Sequence, residues 1–307
     1  MTKQRILILG GTGHYGREIV RSLVEKGVPV TVLTRNAARA KETIGVAPRF
    51  VEGDIASRDS VCRALEGVSA VIIAVSAFSP DQIRRVKAIE QEAVIAALEE
   101  AQAAGVKRVV FISVFDIKED VAERNKIDSG NAKLEVERFL AGSDFNWTVL
   151  GAPPSMDIFF RMLRGKTLAV PGGGPEALPT IAPRDLGEIA ARAVLRDDLA
   201  RRRIRVVGEV LGFREAAERF SRFYGKPIKF RKIPLLFPRI AWFLTGGLLS
   251  FSSRIYYVHS LLGFIKLLNQ FPPEIAAEAR QDLIDLRSTF NFTPTTLALE
   301  AERRLQG

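Results

Sequence analysis

The sequence predicts an α/β protein with a doubly wound parallel sheet and a smaller, mostly helical C-terminal lobe. In the first half, short apolar runs rich in branched residues alternate with longer helical patterns, and the connections between them are short. Runs that are apolar throughout are typical of parallel strands, because such strands are buried on both faces. In the second half the pattern becomes mainly helical.

The elements of the first half follow in a regular order. We predict strands at residues 5–9, 30–33, 49–51, 70–75, 108–112 and 147–150, and helices at residues 16–26, 37–43, 58–65, 81–104 and 131–141. Right-handed crossovers bring the carboxyl ends of such strands to one edge of the sheet. Functional side chains are therefore expected just after the strands.

The first strand leads into a glycine-rich turn and then into an amphipathic helix. The turn reads Gly10-Gly11-Thr12-Gly13-His14-Tyr15-Gly16. Glycines let the main chain approach a pyrophosphate, and the first turn of the helix offers unpaired N–H groups to it. This order predicts a dinucleotide site in a Rossmann-type sheet. The alternative is a glycine-rich turn in an unrelated α/β protein.

The end of the second strand indicates which dinucleotide binds. NAD sites usually carry an acid about 20 residues after the glycines. Residues 28–41 contain no acid, and Arg35 follows the strand directly. A guanidinium pairs with a 2′-phosphate through two hydrogen bonds, whereas an acid would repel it. We therefore predict NADP(H); the alternative for Arg35, and the favoured one for Arg39 and Lys41, is a solvated surface charge.

The other strands also end in residues that are expected along the same rim. They are Asp54 and Ile55, Val75 and Ser76 with Ala77, Ser113, and Gly151-Ala152-Pro153-Pro154. Asp54 has two interpretations of equal weight. Its carboxylate either accepts a hydrogen bond from the adenine amino group or caps the helix that begins near Arg58.

Several motifs together resemble the NmrA-like family of atypical short-chain dehydrogenases/reductases. They are Gly10-Gly11-Thr12-Gly13-x-x-Gly16, Gly53-Asp54-Ile55, Lys107-Arg108-Val109-Val110-Phe111-Ile112-Ser113, Ala132-Lys133-x-x-Val136-Glu137, Trp147-Thr148-Val149-Leu150 and Asp185-Leu186-Gly187-Glu188-Ile189-Ala190. The resemblance covers roughly residues 3–200. It implies the NAD(P)-binding fold and a reductase-type site.

The resemblance also implies roles for individual residues. The NADP contacts of the family correspond to Gly10, Thr12, Gly13, His14, Tyr15, Gly16, Arg35, Asp54, Val75, Ser113 and Lys133. We add Ile55, Ser76 and Pro153 because they lie on the predicted rim. Two positions depart from the family pattern. Ser129 stands where active relatives have the tyrosine of Tyr-x-x-x-Lys, and Gly151 stands where NmrA-like relatives often have arginine.

The missing tyrosine leaves the chemistry open. Lys133 and Ser113 are the candidate catalytic residues: Lys133 either binds ribose hydroxyls only or also transfers a proton, and Ser113 either orients a substrate carbonyl or satisfies local backbone. Tyr224, Tyr256, Tyr257 and His259 are possible substitute donors, although packing is the favoured interpretation of each. We therefore expect an NADP(H)-dependent oxidoreductase acting on an apolar carbonyl or enone-like substrate. The alternative is a non-catalytic NADP(H)-binding sensor or assembly protein.

The second half carries an unusual concentration of positive charge. From Arg219 to Pro273, here called the basic segment, there are nine Lys and Arg residues and no Asp or Glu. The same segment is apolar, but its longest charge-free run, residues 240–253, is too short to span a bilayer. Three interpretations stay open: a lobe that lines an apolar substrate pocket, a peripheral membrane surface, or a face for a protein partner or a second copy. No motif favours nucleic acid binding.

The remaining features limit the class of protein. Length and composition fit a Rossmann domain over residues 1–200, with 151–180 partly on the substrate side, and a substrate or partner lobe over 201–307. The single cysteine, Cys62, is expected on a buried helix face and fits a cytoplasmic protein, and the N-terminus does not read as a signal peptide. No metal site is expected. The run Arg201-Arg202-Arg203 is expected to end a helix, where positive charge is favourable.

Overall fold

The centre of the protein is a seven-stranded sheet in which every neighbouring pair of strands is parallel. The computed structural model describes residues 4–116, 119–125 and 127–306. The strands are β1 (Ile6–Leu9), β2 (Val30–Thr34), β3 (Arg49–Glu52), β4 (Ala70–Ile73), β5 (Arg108–Val114), β6 (Asn146–Ala152), β7 (Leu163–Arg164), β8 (Thr167–Pro171), β9 (Leu178–Thr180), β10 (Arg202–Arg205), β11 (Glu209–Leu211) and β12 (Lys229–Ile233).

Helices flank this sheet and form most of the C-terminal lobe. They are α1 (Gly16–Glu25), α2 (Ala37–Ile44), α3 (Arg58–Leu65), α4 (Ala93–Ala103), α5 (Glu119–Arg124), α6 (Asp128–Ala141), α7 (Asp157–Met162), α8 (Pro183–Ala193), α9 (Phe213–Tyr224), α10 (Leu236–Gly246), α11 (Ser253–Leu268), α12 (Pro273–Phe290) and α13 (Leu297–Gln306). The predicted doubly wound parallel sheet with a helical C-terminal lobe is confirmed.

The strand order is β10-β6-β5-β4-β1-β2-β3. From β1 the strand order runs outward to β2 and β3 on one side, and to β4, β5, β6 and β10 on the other. The point where the order changes direction, between β1 and β4, is where a doubly wound sheet opens a crevice for a ligand. The strands β1 and β4 are fully buried, and an apolar core lies on each face of the sheet. Helices α1 and α8 cover one face, and α3, α4 and α6 cover the other.

The predicted helix at residues 81–104 is wrong as a single element. The structure has a 3-10 turn at Ile83–Arg85, a π-helical stretch at Lys87–Glu92 and only then α4. A π turn adds one residue to a helical turn and often occurs at functional sites. Here the π-helical stretch contains Glu90, a residue that is only 1% exposed.

The C-terminal lobe has a core of its own but is tied to the sheet. Side chains of β8, α7, α9 and α13 form that core, with Phe159, Phe213 and Phe220 almost fully buried. The strand β10 joins the main sheet beside β6, and Leu286 and Phe290 of α12 pack with the α1–α8 core. The chain therefore returns to the nucleotide half twice after residue 200.

Two smaller expectations are wrong. Cys62 is exposed, and its thiol donates to Oε2 of Glu100 at 3.3 Å rather than packing in a buried helix face. The arginine run does not end a helix, because Arg202 and Arg203 begin strand β10. The connection between β5 and α6 contains α5, while residues 117, 118 and 126 lie outside the described residues.

Candidate active site

The glycine turn after β1 is held by close contacts that only glycine allows. Gly10 has a φ of +84°, and a Cβ there would lie 2.5 Å from the carbonyl oxygen of Ala74. A Cβ on Gly16 would lie 2.0 Å from the carbonyl oxygen of Gly10, and the N–H of Gly13 donates to that same oxygen at 2.9 Å. The turn is therefore a tight main-chain loop at the start of α1, with Thr12 and Gly13 exposed. This cradle fits a pyrophosphate.

The two residues between the last glycines join this turn to the C-terminal lobe. Nε2 of His14 lies 3.0 Å from Oγ of Ser155 and 3.3 Å from a carboxylate oxygen of Asp157. Burial lowers the pKa of His14, against the opposing pull of Asp157. The hydroxyl of Tyr15 donates to the carbonyl of Pro153 at 3.4 Å, and burial raises its pKa. The predicted rim position Pro153 thus meets the glycine turn through its main chain.

Arg35 lies exposed at the end of β2, on the same edge of the sheet. With the amide of Gln82 oriented so that its oxygen faces Arg35, that oxygen accepts from both terminal guanidinium nitrogens, at 2.8 and 3.1 Å. Gln82 directly precedes the 3-10 turn that follows β4. The guanidinium thus has a neutral hydrogen-bond partner at the mouth of the crevice. Because this partner does not offset the positive charge, the guanidinium can attract an anion.

At the β3 end of the rim, Asp54 and Ile55 make contacts within the protein itself. Asp54 is exposed, and its Oδ1 accepts from the N–H of Ala56 at 2.9 Å, while Ser57 is the residue that caps α3. The interpretation that Asp54 caps α3 is therefore wrong, because Ser57 is the capping residue. Ile55 packs against the core below. The adenine contact of Asp54 stays a prediction.

A largely buried ion pair lies at the carboxyl ends of β4 and β5. Nζ of Lys133 donates to the carbonyls of Val75 at 3.1 Å and Ile112 at 3.4 Å, and lies 3.5 Å from Oε2 of Glu90. The side chain of Lys133 is 13% exposed and that of Glu90 is not exposed at all. The ring of Phe111 lies beneath the ammonium, 5.5 Å from Nζ to the ring centroid. A charge pair in this position is expensive unless fully partnered, which points to function.

Glu90 is the functional residue that the sequence reasoning missed. Its Oε1 accepts from the N–H of Ala77 at 2.6 Å, and its Oε2 accepts from the hydroxyl of Ser129 at 2.5 Å. Ser129, at the family's tyrosine position, is thus bound to the same carboxylate as Lys133. A signal existed in the sequence: Glu90 continues the apolar spacing Ile83, Val86, Val94 and Ala97, so it occupies a core-facing position.

Ser113 joins a second polar cluster behind the rim. Its hydroxyl donates to Glu137, one helical turn after Lys133, and Glu137 in turn accepts from Arg203 of β10 at 2.9 Å. Arg203 also donates to the carbonyls of Val114 and Phe115, at 2.8 and 3.1 Å. A Cβ on Gly151 would lie 3.1 Å from Nη1 of Arg203. The glycine at the family's arginine position therefore leaves room for an arginine that comes from another strand.

Helix α11 closes the site from the C-terminal lobe. The hydroxyl of Tyr256 donates to Asp128 at 2.5 Å, next to Ser129, and burial together with that carboxylate raises the pKa of Tyr256. The ring of Tyr257 lies 5.2 Å from the ring of Phe78. A small apolar cleft of about 30 Å³ lies here, lined by Phe78, Ile83, Ile127, Asp128, Ser129, Ser260 and Phe264.

Not every candidate converges on this rim. Ser76 is exposed, and its hydroxyl accepts from the N–H of Phe78 at 3.4 Å. Tyr224 packs with Phe220 and Phe223 in the C-terminal core, and His259 stacks on Trp242 inside the helical pair α10–α11. Among the described residues, no group of His, Cys, Asp and Glu side chains is arranged to hold a metal ion.

A match to a family model agrees with this geometry. Residues 10–195, more than half of the chain, match the model of the NAD(P)H-binding family. The chain belongs to this family. Its membership confirms the resemblance to NmrA-like, atypical short-chain dehydrogenases/reductases that the motifs predict. NAD(P)H binding is thereby established at the level of the family.

Relatives of this NAD(P)H-binding chain include both an enzyme and an assembly factor. A photosystem II assembly factor of a Synechocystis strain is 28% identical over 75% of this chain and 71% of its own length. An NAD(P)H azoreductase of Xenophilus azovorans is 27% identical over 75% and 77%. An NADPH-dependent quinone oxidoreductase from Escherichia coli, solved with NADPH, covers 98% of this chain and 100% of its own with a TM-score of 0.69. At 18% identity this last likeness shows the fold alone.

Proposed function

We propose that this protein is an NADPH-dependent reductase of an apolar acceptor whose reduced anion is delocalised, such as a quinone or an enone. The observation that carries the proposal is the largely buried Lys133–Glu90 pair at the carboxyl ends of β4 and β5, beside an apolar cleft. When bound, the cofactor supplies a hydride. The chain's own residues must then orient both partners and stabilise the negative charge that develops on the acceptor.

The choice of acceptor follows from the residues that can answer that charge. A simple ketone becomes a strongly basic alkoxide and needs a proton from a good acid, usually a phenol. Ser129 is a poor acid, and its hydroxyl is engaged by Glu90. A quinone or enone spreads the charge over several atoms, so a nearby cation stabilises it without an immediate proton. Lys133 is that cation, and the relative named as an NAD(P)H azoreductase agrees with an acceptor of this kind.

The preference for the phosphorylated cofactor rests on Arg35. Its guanidinium lies at the mouth of the crevice next to the neutral amide of Gln82. A 2′-phosphate would replace the amide oxygen as the acceptor for both nitrogens, which is the stronger, charge-assisted form of the same contact. The glycine turn and the first turn of α1 would hold the pyrophosphate.

A second candidate function is an NADPH-binding assembly protein without turnover. Two observations favour it. Ser129, at the position of the family's proton donor, is hydrogen-bonded to Glu90, and the cleft has a volume of only about 30 Å³. The assembly factor among the relatives is consistent with it. In this case NADPH would act as a ligand that stabilises one state of the protein.

Turnover separates the two candidates. We expect the purified protein to oxidise NADPH with at least one member of a panel of quinones, enones and azo compounds, and Lys133→Met to lower kcat by about a hundredfold. NADPH affinity is measured for both proteins, so that a folding defect is not mistaken for a catalytic one. Lys107→Met, at an exposed lysine, is the control. Tight NADPH binding with no oxidation by the wild-type protein would favour the assembly function.

A further inference from the structure

Helices α10 and α11 form an antiparallel pair, here called the helical hairpin, with one face toward the protein and one toward solvent. On the inner side the ring of Trp242 stacks on His259, with 4.9 Å between centroids, and Thr245 hydrogen-bonds Nδ1 of His259 at 2.9 Å. Ser260 and Phe264 of α11 line the cleft of the active site. The contacts that attach the hairpin to the rest of the protein therefore lie on this side.

The outer face of the hairpin is apolar and uncovered. Leu236, Ile240, Phe243 and Leu244 are 48–79% exposed and follow the i, i+4, i+7, i+8 spacing of one helical face. Leu248 and Phe251 in the connection, and Val258 and Leu261 on α11, continue it. These eight side chains are most of the thirteen large apolar side chains that are exposed among the described residues. An apolar surface of this kind marks an interaction site.

The charged residues of the basic segment all carry positive charge. The basic segment from Arg219 to Pro273 contains nine cations and no acid. Immediately before α10, an open cleft of about 500 Å³ is lined by Arg164, Arg231 and Lys232 together with Thr167, Ala169, Ile233 and Pro234. Within the part of the chain that the structure describes, these three cations form no ion pair with a carboxylate. A basic cleft thus adjoins an apolar face.

We propose that the outer face of the hairpin and the adjoining basic cleft bind the surface of an anionic lipid bilayer. Large aliphatic and phenyl side chains beside Lys and Arg are the composition of helices that lie in the interface, where the apolar groups enter the acyl boundary and the cations meet the phosphates. No helix among the described residues has the length and hydropathy needed to cross a bilayer. A hairpin lying on the surface needs neither.

Charge complementarity favours a bilayer over a second copy of the chain. A twofold contact through this face would bring two basic segments together with no acid in either to offset the repulsion. An anionic bilayer supplies both an apolar layer and a dense layer of negative charge at the required depth. The proposal does not depend on turnover, because it concerns the face of the hairpin opposite the active site.

The test is sedimentation of the full-length protein with vesicles. We expect binding to vesicles of phosphatidylcholine that contain about a quarter phosphatidylglycerol, weaker binding to phosphatidylcholine alone, and release as salt is raised. The double variant Phe243→Ser, Phe251→Ser should lower partitioning by about tenfold or more. The double variant Arg231→Glu, Lys232→Glu should remove the preference for anionic vesicles.

Matched controls separate this face from general surface effects. Ile284 and Leu305 are 59% and 69% exposed on α12 and α13, so Ile284→Ser with Leu305→Ser removes two exposed apolar side chains elsewhere. Lys107→Glu with Arg280→Glu reverses equal charge at two other exposed sites. Both controls should bind as the wild type does. Equal binding to neutral and anionic vesicles, no binding to either, or a dimer that the Phe243→Ser, Phe251→Ser variant makes monomeric would overturn the proposal.

Discussion

The rim of the central sheet and the outer face of the helical hairpin use similar residues in opposite settings. At the rim, Lys133 is largely buried and has a carboxylate, two carbonyls and an aromatic ring as partners. On the hairpin side, Arg231 and Lys232 are exposed beside uncovered apolar residues. A buried charge must be fully partnered, so its position is fixed within a fraction of an ångström. Exposed charges do not need a partner at a fixed position. Their summed electrostatic potential instead attracts a large surface of opposite charge.

The first prediction tests that contrast on the charges themselves. Lys133→Met leaves the carboxylate of Glu90 buried without its cation and should lower the free energy of unfolding by about 3 kcal/mol. Arg239→Met, on the hairpin, should change it by less than about 0.5 kcal/mol. Denaturant unfolding measures both. Adding Glu90→Met to Lys133→Met should recover part of the loss, and equal effects of the two single variants would remove the distinction between the regions.

The second prediction concerns the main chain of the rim. Gly16→Ala places a methyl group 2.0 Å from the carbonyl oxygen of Gly10, so the turn must move and NADPH affinity should fall by about a hundredfold. Gly142→Ala is the control, because a Cβ there meets only ordinary contacts at 3.7 Å and beyond. Fluorescence titration with NADPH gives the affinity. Unchanged binding by Gly16→Ala would mean that the turn does not hold the pyrophosphate.

The third prediction tests the charge at the mouth of the crevice. Arg35→Ala should weaken NADPH binding by about tenfold and leave NADH binding unchanged, because only the phosphorylated cofactor has an anion for the guanidinium. Arg39→Ala, at an exposed position on α2, should leave the ratio of the two affinities unchanged. If both nucleotides weaken equally on loss of Arg35, the residue does not select the phosphate.

The fourth prediction concerns a charge that is intermediate between the two regions. Glu188 of α8 accepts hydrogen bonds from Ser22 of α1, from Lys26 directly after α1 and from Arg192. Burial opposes ionisation, but these donors prevail and lower the pKa of Glu188 from its usual 4.5 to about 2. Since the pKa is lower in the folded state, the stabilisation is complete above pH 4.5 and is lost as the pH falls toward 2.

Glu188→Gln should therefore cost at most about 1 kcal/mol near neutral pH, since the side chain is partly exposed. The difference from the wild type should shrink as the pH falls from 4.5 to 2. Urea unfolding across this range measures it. Glu66→Gln, at a far more exposed acid paired with Arg49, should show almost no difference at any pH. A cost for Glu188→Gln that does not depend on pH would mean that charge is not its cause.

The smallest effect is expected on the hairpin. Phe243 and Phe251 are 79% and 76% exposed, so the double variant Phe243→Ser, Phe251→Ser should change the free energy of unfolding by less than about 0.5 kcal/mol. Thermal unfolding in the absence of lipid measures this. A loss of several kcal/mol would mean that these rings are part of the folded core and that the face is not free to bind a partner.

Local patterns predicted most of the nucleotide half. The glycine turn, Arg35 and each strand end are recognised from short stretches of sequence, and parallel topology alone brings the strand ends to one edge. The contacts of Lys133 were not predictable in the same way. Glu90 precedes it by 43 positions, and the spacing that marks Glu90 as core-facing does not indicate that its carboxylate meets Lys133 and Ser129. That meeting depends on α6 packing against the π-helical stretch, a contact between elements that are distant in sequence.

The position of Gly151 shows the same limit at a second site. The sequence indicates that an arginine is missing there, but not that Arg203 reaches the same region from β10. This depends on β10 lying next to β6, a pairing between residues about 50 positions apart. The interpretation of residues 201–203 as a helix end failed for the same reason, because local charge preferences do not report which strand joins a sheet.

For the basic segment, too, the sequence determined some properties and the tertiary structure decided others. Its charge and its apolar residues are properties of composition, so the sequence alone determined that this region is cationic and rich in hydrophobic groups. The fold decided which side of each helix is used. Packing of α10 against α11 buries His259 and leaves Phe243 in solvent. Burial depends on contacts between distant elements, and these exist only once the chain has folded.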